Sequence, residues 1–199
     1  MADSAENPVH DDGASGGSGA VELVFADLLN QAHLMPPDAL PDALSQSTAP
    51  LGVRRVEVYL ADMQQRCLRP LPSARQGDLG SLPTLPIDST LAGRAFQMVT
   101  MHHATAGEGL FRLWVPVVDG TERLGVLELI VTAVDEATLR RCRMLASLTG
   151  LMIISKSAYS DTYAQVRRDR EMALQAEMVW AFMAPPTFAT ERVIVAAAL

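Results

Sequence analysis

The sequence predicts an α+β fold in which a central antiparallel sheet is flanked by helices and followed by a long C-terminal helix. Three observations lead there. Val56, Val58 and Leu60 alternate with Arg55, Glu57 and Tyr59, the two-residue period of a strand with its aliphatic side chains on one face. Phe111 to Val118 and Arg123 to Thr132 are strand-like runs joined by Asp119-Gly120-Thr121-Glu122, the signature of a hairpin. Helical spacings before, between and after these runs supply the helices that cover the sheet.

Bulk composition narrows the class. A chain of 199 residues holds one medium domain with extensions, and with 49% apolar and 20% charged residues it has enough side chain to bury a core. The net charge of -7 argues against a broad electrostatic grip on nucleic acid. Arg167, Arg168 and Arg170 do cluster, but Asp161, Asp169 and Glu171 are interspersed, which reads as a solvated helix face. Basic charge is almost all arginine, with Lys156 the sole lysine, a compositional hint of a GC-rich bacterial genome. Cys67 and Cys142 are far apart and lack metal-binding or redox spacing, so both are expected to be small apolar residues. The N-terminus has no signal-peptide pattern and no apolar run reaches the roughly 20 residues that span a bilayer, so a cytoplasmic location is expected.

The elements follow in order. Residues 1–20, rich in Gly, Ser and Asp, predict a flexible leader. Val21, Val24 and Leu28 share a helical face, predicting a helix to about His33 that Pro36-Pro37 stops. A second, short helix is expected over about Asp38 to Ser47, with Leu40 and Leu44 one turn apart. The half-buried strand through Val56 to Leu60 turns at Asp62 to Gln65 into another from Arg66 to Leu71. Ser73 to Leu85 reads as a long loop, the kind that covers a pocket. Asp88 or Ser89 is expected to cap a helix from Leu91 to Val99. After the second hairpin, Asp135 caps a final helix that is expected to continue to Pro185-Pro186. Its apolar half, Leu139 to Ile154, docks on the sheet, and its polar half, Lys156 to Met183, projects away.

Two resemblances sharpen the expectation. Leu85-Pro-Ile-Asp-Ser-Thr-Leu-Ala-Gly-Arg-Ala-Phe96 resembles the short central helix of GAF domains with its entry, and Leu113-Trp-Val-Pro-Val-Val118 with Leu124-Gly-Val-Leu-Glu-Leu129 resembles their central hairpin. Ala173-Leu-Gln-Ala-Glu-Met178, Pro185-Pro-Thr-Phe188 and Val193 to Leu199 are similar to the entry into the phosphatase domain of bacterial, actinobacterial-like PPM-type serine/threonine phosphatases that regulate sporulation and stress sigma factors. In that family the acidic stretch that holds the catalytic metals comes after this entry, so the resemblance implies a regulatory half without its catalytic machinery. The implied organisation is a leader (1–20), a GAF-like sensor (21–155), a signalling or coiled-coil helix (156–184) and the start of a phosphatase domain (185–199). Val193 to Leu199 is expected to lack a strand partner.

The GAF resemblance implies a small-molecule pocket between the sheet and the Thr90 to Val99 helix, lined by Tyr59, Phe96, Met98, His103 and Trp114; the same residue types also serve as core. No cofactor is expected. Adjacent histidines on a strand face opposite ways, so His102 and His103 make no metal site. Ser89 and Thr90 suit capping better than nucleophilic chemistry, and no catalytic residue is expected. Neither the cysteine arrangement of methionine sulfoxide-reducing and bilin-bearing GAF proteins nor the Asn-Lys-Phe-Asp-Glu constellation of cyclic-nucleotide binders is found. Tyr159, Val166, Ala173 and Trp180 recur every seven residues and predict a homodimer seam. The sequence thus reads as a signal-input domain for a phosphatase. The rival is a ligand-free dimerisation module that positions two effector domains.

Overall fold

Two long strands, β1 (Val53–Ala61) and β6 (Glu122–Val131), lie antiparallel at the centre of a six-stranded sheet. β2 (Cys67–Pro70) and the two-residue β3 (Leu85–Pro86) extend it on one side, β5 (Leu110–Asp119) and β4 (His102–Gly107) on the other, in the order β3-β2-β1-β6-β5-β4. The structure is a computed structural model that describes residues 15–73, 82–158, 160–168, 178, 187–189 and 194–196.

One face of the sheet carries Val56, Val58, Leu60, Leu113, Val115, Leu127 and Leu129, and it is covered by α1 (Ser15–Ala32), α2 (Leu40–Thr48) and α4 (Glu136–Ser157). Val24 and Leu28 from α1, Leu40 and Leu44 from α2, and Leu145, Met152 and Ile153 from α4 complete that core. Each such side chain contributes about 1.5–3 kcal/mol when fully buried. Ser45 of α2 donates to the Val56 carbonyl and accepts from the Val56 amide, both at 3.1 Å, so it satisfies β1 beside the stretch that β2 pairs (Tyr59 to Ala61).

The opposite face is covered by α3 (Leu91–Met98), which packs on β5 and β6. This corrects the expectation of a half-buried strand: β1 is buried on both faces from Val56 to Ala61 because α3 and its entry shield the side that holds Tyr59 and Ala61. The cap of α3 is Thr90 and not Asp88 or Ser89; its Oγ1 accepts from the Gly93 amide at 3.0 Å and donates to the Pro86 carbonyl at 2.6 Å. β4 belongs to none of the expected elements, although its histidines do alternate as strand neighbours.

The helices also differ from expectation. α1 begins at Ser15, inside the expected leader, while residues 1–14 lie outside the described residues. α4 starts at Asp135 as expected, with Oδ1 accepting from the Thr138 amide at 2.7 Å, but stops at Ser157 instead of running on. Gly150 does not break it: a Cβ there would press on the Val118 carbonyl, so glycine lets the helix approach β5 closely. A separate short helix, α5 (Thr162–Arg167), follows and folds back. Tyr163 is buried with its hydroxyl donating to the Pro37 carbonyl at 3.1 Å, and Val166 packs against the core. The polar half therefore does not project over the described residues to Arg168. Further on, β7 (Thr187–Ala189) pairs antiparallel with β8 (Ile194–Ala196), so the apolar run near the C-terminus does have a strand partner.

Candidate ligand site on the α3-covered face

A row of side chains crosses four strands on this face. Glu57 of β1 is directly opposite Glu128 of β6, Glu128 is opposite Trp114 of β5, and Trp114 is opposite His102 of β4. Like charges placed directly across a sheet repel, and burial raises the cost; Glu57 is 8% and Glu128 4% exposed. Two guanidiniums offset it. Arg112 Nε lies 2.8 Å from Glu128 Oε1, and Arg55 Nε lies 3.2 Å from Glu57 Oε1. Both arginine side chains stay partly in solvent, so each buried carboxylate is covered by a charge at the edge of the interior.

Tyr59 lies two residues along from Glu57 on the same face, and its hydroxyl donates to Glu128 Oε2 at 3.4 Å. Burial, reinforced by the charges of Glu128 and Glu57, pushes that hydroxyl far above the ordinary phenol range, so it stays protonated and keeps its hydrogen for Glu128. The Tyr59 ring meets Trp114 edge-on, with centroids 5.9 Å apart. Phe96, Ile87, Ala92, Ala95, Leu68 and Val126 close the apolar part. Gly125 faces the Tyr59 carbonyl across the β1–β6 pair at a separation no side chain would fit, which holds the two strands close beside Tyr59.

The turn between β1 and β2 is tied to the same region. The buried Asp62 accepts from the Arg66 and Cys67 amides at 2.7 and 2.9 Å. Arg123 donates to Gln65 Oε1 and to the Gln97 carbonyl, and its guanidinium lies 5.2 Å from the centre of the Phe96 ring. At the far end of α3, Val99 adopts the left-handed conformation with φ of 52°, which a β-branched residue disfavours.

Of the five residues expected to line a pocket, Tyr59, Phe96 and Trp114 come together here. Met98 is 65% exposed, and the exposed His103 shares its row with Leu113, so His102 and not His103 stands beside Trp114. Glu57, Glu128, Arg55 and Arg112 were not anticipated. The available signal was Glu128 itself, a lone acid within Leu124 to Val131. Of the expected dimer seam, Val166 faces the core while Tyr159, Ala173 and Trp180 lie outside the described residues. Among the described residues, no group of three or more His, Cys, Asp or Glu gathers to hold a metal, and no helix is long and apolar enough to cross a membrane.

No protein-family model matches the sequence, and no curated protein matches it. Solved structures do. The GAF domain of an Acinetobacter phosphoenolpyruvate-protein phosphotransferase is similar with a TM-score of 0.54 and 14% identity, over 74% of this chain and 98% of that one. The chain has the GAF fold. A GAF domain from A. aeolicus, nlh2 in an inactive state, matches with a TM-score of 0.54 and 14% identity, covering 70% of this chain and 96% of that one. A segment of a methyl-accepting chemotaxis protein matches with a TM-score of 0.56 and 13% identity, covering 68% of this chain and 99% of that one. In the GAF fold of this chain, α3 and the hairpin β5–β6 are the segments whose residues carry the sequence resemblance.

Proposed function

We propose that this chain is a signal-input domain. A small molecule binds on the α3-covered face, and the bound state passes through α4 and α5 to an effector. The observation that carries this reading is the row Glu57–Glu128–Trp114 with Arg112 and Arg55 over the carboxylates. Buried like charges beside an aromatic cluster are costly for stability alone and suit recognition. The matches to GAF domains of a phosphotransferase and to a chemotaxis protein support a regulatory place within a larger bacterial protein.

The effector in this reading is a PPM-type serine/threonine phosphatase of the sigma-factor regulator group, read from Ala173 to Met178 and Pro185 to Phe188. The β7–β8 hairpin suits the opening of such a domain. The chain itself is non-catalytic and works in the cytoplasm. A purified sample is tested by a thermal-shift screen of metabolites, with native mass spectrometry for co-purified compounds. A binder raises the midpoint as its concentration rises, and Arg112→Gln removes the effect. Stabilisation that Arg112→Gln leaves intact would place the ligand elsewhere.

A second reading is a ligand-free dimerisation module. Met144, Leu151 and Ile154 are exposed on the outward side of α4 and form an apolar stripe. A midpoint that depends on protein concentration and on no metabolite supports that module. The two readings share a homodimer, with α4 of each copy at its centre.

A further inference from the structure

Away from the α3-covered face, α5 lies across α4 and the sheet over a cleft of about 140 Å³. A single water needs roughly 10–15 Å³ of such space, so the cleft has room for about ten non-hydrogen atoms. Its apolar side is Leu60 of β1, Leu124 of β6 and Ile153 of α4, and Asp161 and Arg167 flank it from the two ends of α5. Asp161 sits at the position that would cap α5, yet its side chain makes no capping bond. Arg167 is anchored from behind: Nε donates to the Ala61 carbonyl at 3.2 Å, and Nη1 is 3.7 Å from Glu122 Oε1. These contacts fix the guanidinium in place, and Nη2 keeps its hydrogens for a carboxylate in the cleft.

We propose that this cleft binds a small aliphatic amino acid. The ligand's ammonium donates to the Asp161 carboxylate, its carboxylate accepts from Arg167, and its side chain lies on Leu60, Leu124 and Ile153. One acid and one base bordering an apolar floor complement a zwitterion, whereas a plain amine or a plain carboxylate satisfies only one of them. An occupant touches α4, α5 and both central strands at once, so binding holds α5 down and controls how firmly the segment leading out of the domain is attached. The proposal does not rest on the α3-covered face.

Isothermal titration with L-leucine, isoamylamine and isocaproate tests it, since the last two keep the carbon skeleton and lose one charge each. L-leucine is expected to bind about tenfold more tightly than either. Asp161→Asn, at an exposed position, is expected to leave the unfolding midpoint unchanged, weaken leucine by about tenfold and spare isocaproate. Ala164→Leu, which fills the cleft, is expected to abolish binding, and saturating leucine is expected to slow hydrogen exchange in α5. No heat from leucine at millimolar concentration would overturn the proposal, as would leucine binding that survives Asp161→Asn or isocaproate binding as tightly as leucine.

Discussion

Lys156 donates from Nζ to the carbonyl oxygen of Ala32 at 2.7 Å, joining residues 124 positions apart. A second bond from the same ammonium reaches the Met35 carbonyl at 2.5 Å, and the lysine is only 1% exposed. The last turn of α4 thereby satisfies the end of α1, where helix carbonyls lack partners and carry partial negative charge. Tyr163 adds its bond to Pro37, so the connector that leaves α1 is held by residues on both sides of the α4–α5 break.

Lys156→Met is the direct test of this clamp, because methionine keeps most of the volume and loses both bonds. Leaving two carbonyls unsatisfied is expected to lower stability by about 1–3 kcal/mol. Hydrogen exchange should accelerate most in the final turn of α1. Unchanged stability in denaturant would show that the carbonyls find water instead.

Arg112→Leu is expected to destabilise the domain by leaving Glu128 buried without its guanidinium. The loss should be about 1–3 kcal/mol, below the 3–5 kcal/mol of a fully buried pair, because the Arg112 side chain is 48% exposed. Glu128→Leu in the same chain should recover most of it. Urea unfolding of the three variants checks the sign, and a double variant weaker than Arg112→Leu would contradict the account.

Burial pushes the Cys142 thiol up to about 11. The folded chain keeps this proton where the unfolded chain has already released it, so the folded state binds more protons between the ordinary thiol value and about 11. Its contribution to stability is complete below that window and is lost as pH rises through it. Unfolding midpoints measured across alkaline pH should fall less steeply in Cys142→Val. In the folded protein at mildly alkaline pH, the half-buried Cys67 should react with a thiol reagent well before Cys142.

Leu151→Glu places a charge in the exposed stripe of α4 and is expected to shift sedimentation toward the monomer with the core intact. Val166→Asp should behave differently, since Val166 packs against the core: it should lower stability before it alters mass. A wild-type protein that sediments as a monomer at high concentration would remove the homodimer from the proposal.

Val99→Gly is expected to raise stability by about 1 kcal/mol, because the left-handed conformation at the end of α3 suits glycine and strains valine. Thermal unfolding is sufficient to detect it, and a lower midpoint would show that the valine side chain contributes contacts worth more than the strain.

The hairpin β5–β6 was legible because its period, its turn and its length agree, and the Asp135 cap because the aspartate immediately precedes the helical pattern. What escaped depended on long-range covering. Period alone puts Glu57 and Tyr59 on the outer side of a strand, and only α3, more than thirty positions further along, makes that side an interior. The end of α4 was misplaced for a related reason. Helical spacing continues past Ser157, but the burial of Lys156 and Tyr163 against the Ala32 to Pro37 connector favours a break and a return. Tyr59, Phe96 and Trp114 were recoverable as large apolar residues, whereas the arginine and carboxylate partners were hidden in an alternation that looks solvent-facing.

The central pairing of β1 with β6 sets an order of events for the newborn chain. Tyr59 and Glu128, bonded across that pairing, are 69 residues apart, so the sheet cannot close until most of the domain has been synthesised. The β5–β6 hairpin, closed by a tight turn at Gly120, forms locally and offers β1 a ready template. Until then β1 has the short β2 for a partner but not β6, and the interval on the ribosome before β6 emerges leaves the apolar face of Val56, Val58 and Leu60 open to aggregation.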